Sequence, residues 1–145
     1  MALFSPLSLG TNLCKGYTLN DALDIVKQCG FRYAEISSII NMCEHVDPKD
    51  ITPEYAAEVK QLLEEKGMSC YAFSGHMDLT EEDQFKDFLK KIEFAGRIGA
   101  TIINTNSGPV NRIDVFYKNM KKIIEAAEKW NVIIGLETHG DIIGT

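Results

Sequence analysis

Hydrophobic positions along this chain follow two alternating spacings. In four segments, apolar residues recur every three or four positions, as in Phe85, Phe88, Leu89 and Ile92, which is the spacing of amphipathic helices. Short apolar runs, too short for a helix, lie between them and predict strands near 7–12, 33–38, 69–74, 101–106 and 132–138. A residue that tolerates left-handed backbone marks each helix-to-strand junction: Gly30, Gly67, Gly99 and Asn131.

The predicted helices carry recognisable starting signals. Thr18 can cap the first helix, and Thr52 followed by a proline opens the second. Thr80 with Asp83 three positions later resembles a capping box for the third helix, and the fourth begins near Ile113. Each of the first four strands is therefore predicted to lead into one helix, and the fifth strand follows the last helix.

Strict alternation of strands and helices predicts a parallel sheet with right-handed crossovers. Two architectures fit this pattern: an open flavodoxin-like sheet with helices on both faces, or the first four and a half units of a (β/α)8 barrel. Length favours the open sheet, because barrels usually need about 250 residues. Strand order separates the two, since the barrel requires 1-2-3-4-5 and the open sheet 2-1-3-4-5.

Polar residues at the predicted strand ends favour the barrel. Every strand delivers them at its carboxyl end: Thr11, Asn12, Glu35, Ser37, Ser74, His76, Asn104, Asn106, Glu137 and His139. In a barrel these groups converge on one mouth, whereas in an open sheet they spread along a line. The first strand also lacks the acidic pair expected of a flavodoxin-like receiver.

Glu137 is the strongest candidate for chemistry, because a buried strand leads straight into it and His139 follows on the same side. His76 follows a glycine that permits close approach of a ligand. Glu35 is a strand-end acid of the type that is often catalytic in barrels. Asp78 is interpreted as a solvated or capping acid, and His45 as an exposed residue in a polar loop.

Composition narrows the function classes. The net charge of −6 over 145 residues, with no basic patch, argues against a nucleic-acid partner. No apolar run is long enough for a membrane span, and the first residues do not show the basic and then apolar pattern that a signal peptide is expected to have. The four cysteines lack CxxC spacing, which favours reduced thiols in a cytoplasmic protein over disulfides or zinc.

Four segments together resemble the xylose-isomerase-like TIM-barrel superfamily of sugar isomerases and epimerases, inosose dehydratases and apurinic endonucleases. They are Ser8-Leu9-Gly10-Thr11-Asn12, Tyr33-Ala34-Glu35-Ile36, Ser74-Gly75-His76-Met77-Asp78-Leu79 and Gly135-Leu136-Glu137-Thr138-His139. The resemblance runs in register from the first strand to the fifth, and the last segment is its most specific part.

The resemblance implies a divalent-metal barrel (Mn²⁺, Mg²⁺, Co²⁺ or Zn²⁺) acting on a small sugar or keto-sugar, with or without a phosphate. It makes Glu137 both a metal ligand and the group that moves the proton next to a carbonyl. Substrate-binding roles fall to Glu35, His76, Asn104, Asn106 and His139. The remaining metal ligands would come from strands six to eight, beyond this sequence. The endonuclease branch is disfavoured by three histidines and a negative charge.

Residues 1–145 are accordingly expected to form a single incomplete barrel domain of strands one to five. We expect it to act as a homo-oligomer or as part of a longer chain. A catalytically inactive fragment or oligomerising binding module is the alternative function. The inward side chains of Ile102, Ile134 and Leu136 are expected to lie open where further strands would pack.

Overall fold

Parallel strands and helices alternate along the chain, as the hydrophobic pattern predicts. The structure, a computed structural model, describes residues 7–138 and 141–144. The strands are β1 (Ser8–Gly10), β2 (Tyr33–Ile39), β3 (Cys43–Glu44), β4 (Ser69–Ser74), β5 (Ile102–Thr105) and β6 (Ile133–Leu136). The helices are α1 (Leu19–Gln28), α2 (Pro53–Lys66), α3 (Glu82–Ile98) and α4 (Ile113–Trp130), and short 3-10 turns cover Thr11–Cys14 and Val110–Arg112.

The long strands form one parallel sheet in the order β1-β2-β4-β5-β6, which is their order along the chain. The two-residue strand β3, which the sequence analysis did not predict, turns back antiparallel onto the end of β2. Sequential order is the topology of a (β/α)8 barrel, so the barrel prediction is confirmed and the flavodoxin-like order is wrong.

Two of the predicted helix starts are confirmed. The Thr18 hydroxyl accepts the amide of Asp21 at 3.2 Å, and the Thr52 hydroxyl accepts the amide of Tyr55 at 3.1 Å. Each bond satisfies one of the backbone donors that a helix leaves unpaired at its start. Within the described residues, no helix has the length and apolar character needed to cross a bilayer.

The predicted capping box at the third helix is wrong. Glu81 is the residue before α3, and the helix start has no side-chain cap. Thr80 is buried, and its hydroxyl donates to the Asp78 carboxylate at 2.6 Å. Asp78 also accepts the Thr80 amide at 2.8 Å, so it is a half-buried turn residue and not a solvated acid. This nearby carboxylate competes for the hydroxyl that a capping box would need.

The hydrophobic core lies between the sheet and its helices. Ile36, Phe73 and Ile103 project from neighbouring strands towards the helices and are fully buried. The helices meet them with buried side chains at helical spacing: Leu23, Val26, Val59, Leu63, Phe88, Ile92, Phe94, Ile98, Phe116 and Ile123. The opposite, concave face carries Glu35, Ser74 and Asn104 together with apolar residues such as Ile102 and Ile133.

The expected orientation of β6 is wrong by one residue. A Cβ at Gly135 would meet the Asn104 side chain, so Gly135 faces the concave side of the sheet with Glu137. Ile134 and Leu136 instead pack against the core as half-buried residues. At the open edge of the sheet it is Ile133, 59% exposed, that lies uncovered. Side chains alternate between the two faces along a strand, so Glu137 and Leu136 lie on opposite faces. Because Glu137 faces the cleft, Leu136 has to face the helices.

Helices α3 and α4 meet closely at Gly96. A Cβ there would lie 2.7 Å from the Trp130 Cβ and 2.9 Å from the Trp130 carbonyl oxygen, shorter than real contacts. The Arg97 guanidinium covers the same indole ring at 4.7 Å from its centroid. The glycine therefore sets the distance between the two helices.

Gly96→Ala is expected to destabilise the protein, although alanine favours a free helix by about 1 kcal/mol over glycine. Overpacking against a backbone atom typically costs about 1–3 kcal/mol, so the free energy of unfolding should fall. Urea denaturation followed by circular dichroism measures it. An increase in stability would show that the helices separate without cost.

Candidate active site

A cleft opens at the carboxyl ends of the strands, with a volume of about 360 Å³. It is lined by Asn12, Glu35, Ile39, Met42, Ser74, His76, Asn106 and Glu137. Its position follows from the parallel sheet, because all of these strands end at the same edge. Four of the predicted site residues line this cleft together: Glu35, His76, Asn106 and Glu137.

His76 joins a hydroxyl and a carboxylate in the wall of the cleft. Its Nε2 lies 2.9 Å from Glu137 Oε1, and its Nδ1 lies 3.0 Å from Ser74 Oγ. The His76 side chain is 15% exposed, whereas that of Glu137 is 43% exposed. The imidazole is therefore held inside the wall and the carboxylate faces the opening.

The hydrogen-bond partners of His76 indicate which nitrogen of its ring carries the proton. An ionised carboxylate only accepts, so Nε2–H donates to Glu137, and in the neutral ring Nδ1 accepts the Ser74 hydroxyl. Ser74, His76 and Glu137 thus follow the order of a hydrolase triad. Ser74 is only 6% exposed, however, so its oxygen is poorly placed to attack a substrate. The arrangement orients Glu137 and does not activate Ser74.

Glu35 and Asn104 form a second polar group deeper on the concave face. The Asn104 amide nitrogen lies 3.5 Å from Glu35 Oε1, a long hydrogen bond. A Cβ at Gly135 would come within 2.4 Å of Asn104 Oδ1, so a side chain at that position would displace the amide. Gly135 therefore leaves the space in which Asn104 reaches Glu35, at the floor of the cleft.

Asn106 presents an acceptor with no protein partner. Its Oδ1 is buried, and among the described residues nothing donates a hydrogen bond to it. Buried polar atoms are paired in the great majority of cases, so an exception lining a cleft points to a ligand or ordered water. A hydroxyl group of a bound molecule would satisfy this oxygen.

His45 differs from its predicted place as an exposed loop residue. It is half-buried, and its Nδ1 lies 2.9 Å from the Thr11 hydroxyl, which also accepts the Ser37 amide at 2.9 Å. The loop that carries His45 brings Met42 against the cleft. The sequence analysis missed two lining residues. Met42 lies in a loop, where residues give no periodic signal, and Ile39 lies one residue beyond the predicted end of the second strand.

Asp141 fastens the loop after β6 to the loop after β5. Its carboxylate accepts the amides of Ser107 and Gly108 at 3.2 and 3.4 Å. Burial raises the pKa of Asp141, but the hydrogen bonds from Ser107, Gly108 and Ile143 outweigh this and lower it overall. The stabilisation from this contact is therefore fully present above the ordinary carboxyl pKa and is lost as the pH falls through the lowered pKa of Asp141. His139 lies outside the described residues.

The described residues do not form a complete metal site. No group of three or more His, Cys, Asp or Glu side chains in residues 7–138 and 141–144 is placed to hold a metal ion. Glu137 and His76 supply one carboxylate and one imidazole, and these bond to each other. Metal centres in proteins normally use three or four converging ligands.

A comparison with protein-family models identifies the same fold as the strand order does. Residues 23–144 match the model of the Xylose isomerase-like TIM barrel family. The chain belongs to this family. The resemblance carried by the strand-end motifs is thereby confirmed.

Solved structures share the fold. A Xylose isomerase-like TIM barrel protein from Mycobacterium smegmatis, in complex with magnesium, matches 97% of this chain at 14% identity with a TM-score of 0.77, over 57% of its own length. A D-tagatose 3-epimerase-like protein matches 92% of the chain at 13% identity, with a TM-score of 0.72 and 53% of its own length covered. The IOLI protein with a bound zinc atom matches 91% at 16% identity, with a TM-score of 0.61 and 51% covered.

This chain spans about half the length of the solved structures that it matches. Curated proteins gave no match. At these identities the structural likeness establishes the fold, which is the first half of a TIM barrel.

Proposed function

We propose that this chain supplies the first half of the active site of a sugar isomerase or epimerase. The supporting observation is Glu137, a carboxylate oriented by His76 and facing a cleft at the carboxyl end of a parallel sheet. The cleft volume of about 360 Å³ fits a small polar molecule. The D-tagatose 3-epimerase-like relative agrees with this substrate class.

Glu137 has the chemistry that such a reaction needs. A carboxylate near the carbon next to a carbonyl removes its proton and leaves an enediolate. Isomerisation returns this proton to the neighbouring carbon, whereas epimerisation needs a second acid to deliver a proton to the opposite face of the same carbon, and that acid would lie outside the described residues. His76 fixes the orientation of the carboxylate through Nε2–H, and the Ser74 hydroxyl fixes the ring. Asn106 Oδ1 would accept a substrate hydroxyl. Glu35, with Asn104 beside it, would orient the substrate from the floor of the cleft, and His139 belongs to the same proposed substrate-binding set.

The divalent metal of the proposal does not fit the described residues alone. Relatives contain magnesium or zinc, and such an ion would polarise a substrate carbonyl. Glu137 is the proposed ligand on this chain, but one carboxylate and one imidazole fall short of a metal centre. Further ligands, from outside the described residues or from a longer protein, would be needed, and the steps above rest on the side chains of this chain.

The 145-residue chain by itself should therefore bind Mn²⁺ weakly. Calorimetric titration is expected to show no saturation at micromolar metal, because each missing ligand removes both binding energy and orientation. Tight binding at one ion per monomer would instead show that the chain completes a site by itself.

The reaction is tested by proton exchange at the substrate carbon. Ketohexoses and their phosphates are incubated in deuterated water with Mn²⁺ and either this chain or a longer protein that contains it. NMR then follows deuterium entering next to the carbonyl and appearance of the epimer. Exchange with the longer protein supports the proposal. Failure across both sugar classes, with a folded longer protein, would contradict it.

An oligomerising binding module is the second candidate function. The open strands β1 and β6 leave edges that would accept a partner strand. Beside β6, a groove of about 510 Å³ includes Met120, Ile124 and Ile133, the last two being 49% and 59% exposed. Light scattering measures the oligomeric state, and the deuterium-exchange assay measures catalysis. A stable dimer that binds sugar without deuterium exchange would favour the module.

A further inference from the structure

A lysine is buried completely between α3 and the sheet. Lys91 has no exposed surface, and its Nζ donates to the carbonyl oxygen of Ser38 at 2.5 Å. Among the described residues no carboxylate lies within 4 Å of this ammonium group. Buried charges without an ion pair are rare, because their desolvation is costly. Such a group is retained where its hydrogen bond has a use.

The acceptor of this hydrogen bond lies where β2 leads into the loop of residues 40–52. The Ser38 hydroxyl donates to the Val46 carbonyl at 2.6 Å, and the Ser37 hydroxyl donates to the Cys43 carbonyl at 2.9 Å. These two hydroxyl bonds tie the carboxyl end of β2 to residues Cys43 and Val46 of the loop. Lys91 anchors them from the helix layer.

The same loop forms one wall of the cleft. Met42 lines it together with Ile39 at the end of β2. The Lys91 stem also packs beside Gly75, because its Cδ lies 3.4 Å from where a Cβ of Gly75 would be. Gly75 stands between Ser74 and His76, so the same buried side chain lies next to the segment that carries two other lining residues.

We propose that Lys91 is a positioning residue for the cleft, whose buried ammonium holds the end of β2 and the loop of residues 40–52 in the place where Met42 lines the site. This role is separate from the reaction proposed above, since it concerns the shape of the cleft wall. Its test reports on the loop and needs no substrate.

The charged groups around Lys91 set its protonation. Burial lowers the pKa of Lys91 to about 8, against the opposing effect of Asp87 on its own helix and of Glu44 and Asp47 in the loop. The ammonium form therefore predominates below pH 8. Above it the neutral amine donates a weaker hydrogen bond to Ser38.

Lys91→Met tests the proposal, because methionine keeps the apolar stem and removes the charge. Cys43 lies in the loop and Cys70 in β4, and both thiols are buried at 4% and 2% exposure. In pulsed thiol labelling read by mass spectrometry, Cys43 should react about tenfold faster in the variant, the range expected for losing a hydrogen bond to a charged group. Labelling of Cys70 should be unchanged. Lys90→Met, an exposed neighbour with its own partner Asp87, is the matched control and should change neither rate.

Methyl NMR supplies a second measurement. The Met42 signal should shift in Lys91→Met while the buried Met68 signal stays. In the unmodified protein the Met42 signal should titrate near pH 8, and this titration should vanish in the variant. If Lys91→Met does not fold, the pH titration of the Met42 signal in the unmodified protein still tests the proposal, because raising the pH above 8 neutralises Lys91 without a substitution. Equal acceleration of Cys43 and Cys70, or an unchanged Met42 signal with no titration, would overturn the proposal.

Discussion

Glu137→Gln in the longer protein is expected to lower kcat for ketose interconversion by about 10²–10⁴-fold, the usual contribution of a positioned general base. Glutamine has the same size and retains an oxygen that accepts the His76 Nε2–H. The variant therefore keeps the shape of the site and removes the carboxylate that is proposed both as the base and as a metal ligand. The rate of deuterium exchange at the substrate carbon should fall by a similar factor.

Glu125→Gln is the matched control for this variant. Glu125 is exposed on α4, and the same change of one carboxylate to an amide should leave kcat unaltered. Circular dichroism confirms that both variants fold. Retention of full activity by Glu137→Gln would remove this carboxylate from the proposed chemistry.

The largest loss of stability is expected from Phe73→Ala. Phe73 has no exposed surface, and its ring centroid lies 5.5 Å from that of Phe94 on α3. Truncating a buried phenylalanine costs about 3–5 kcal/mol through lost burial and the cavity left behind. Since domains are stable by only about 5–15 kcal/mol, a substantial fraction of the molecules should unfold at elevated temperature.

Tyr117→Ala provides the comparison for an exposed aromatic residue. Tyr117 is 59% exposed on α4, and its removal should change the free energy of unfolding by less than about 0.5 kcal/mol. Guanidinium denaturation measures both variants. A cost below about 1 kcal/mol for Phe73→Ala would lie under the usual range and would contradict the central place given to Phe73 in the core.

The sequence predicted the elements of the fold because helix and strand periods are local signals. The spacing of Phe85, Phe88 and Ile92 predicts the inner face of α3, and all three are buried. Thr18 and Thr52 were correctly identified as caps for the same reason. The Thr80 cap failed because Asp78, only two residues away, binds the same hydroxyl, a competition that the pattern alone does not rank.

The sequence predicted those residues of the candidate site that lie at the carboxyl ends of strands. Glu35, His76 and Glu137 follow apolar runs, and parallel strands bring such positions to one edge. The pairing of His76 with Glu137 depends on two loops whose path no local rule fixes. Lys91 could not be recognised either, since a lysine within a helical stripe normally extends to solvent.

The two faces of the sheet separate folding from chemistry. Side chains that hold the chain together, such as Phe73 and Ile103, point to the helices, and those proposed to act on a ligand point the opposite way. A change of specificity on the concave face therefore has little reason to alter thermal stability. Libraries randomised at positions such as Glu35 and Asn106 should consist largely of folded proteins, which makes this half-barrel a practical scaffold for directed evolution.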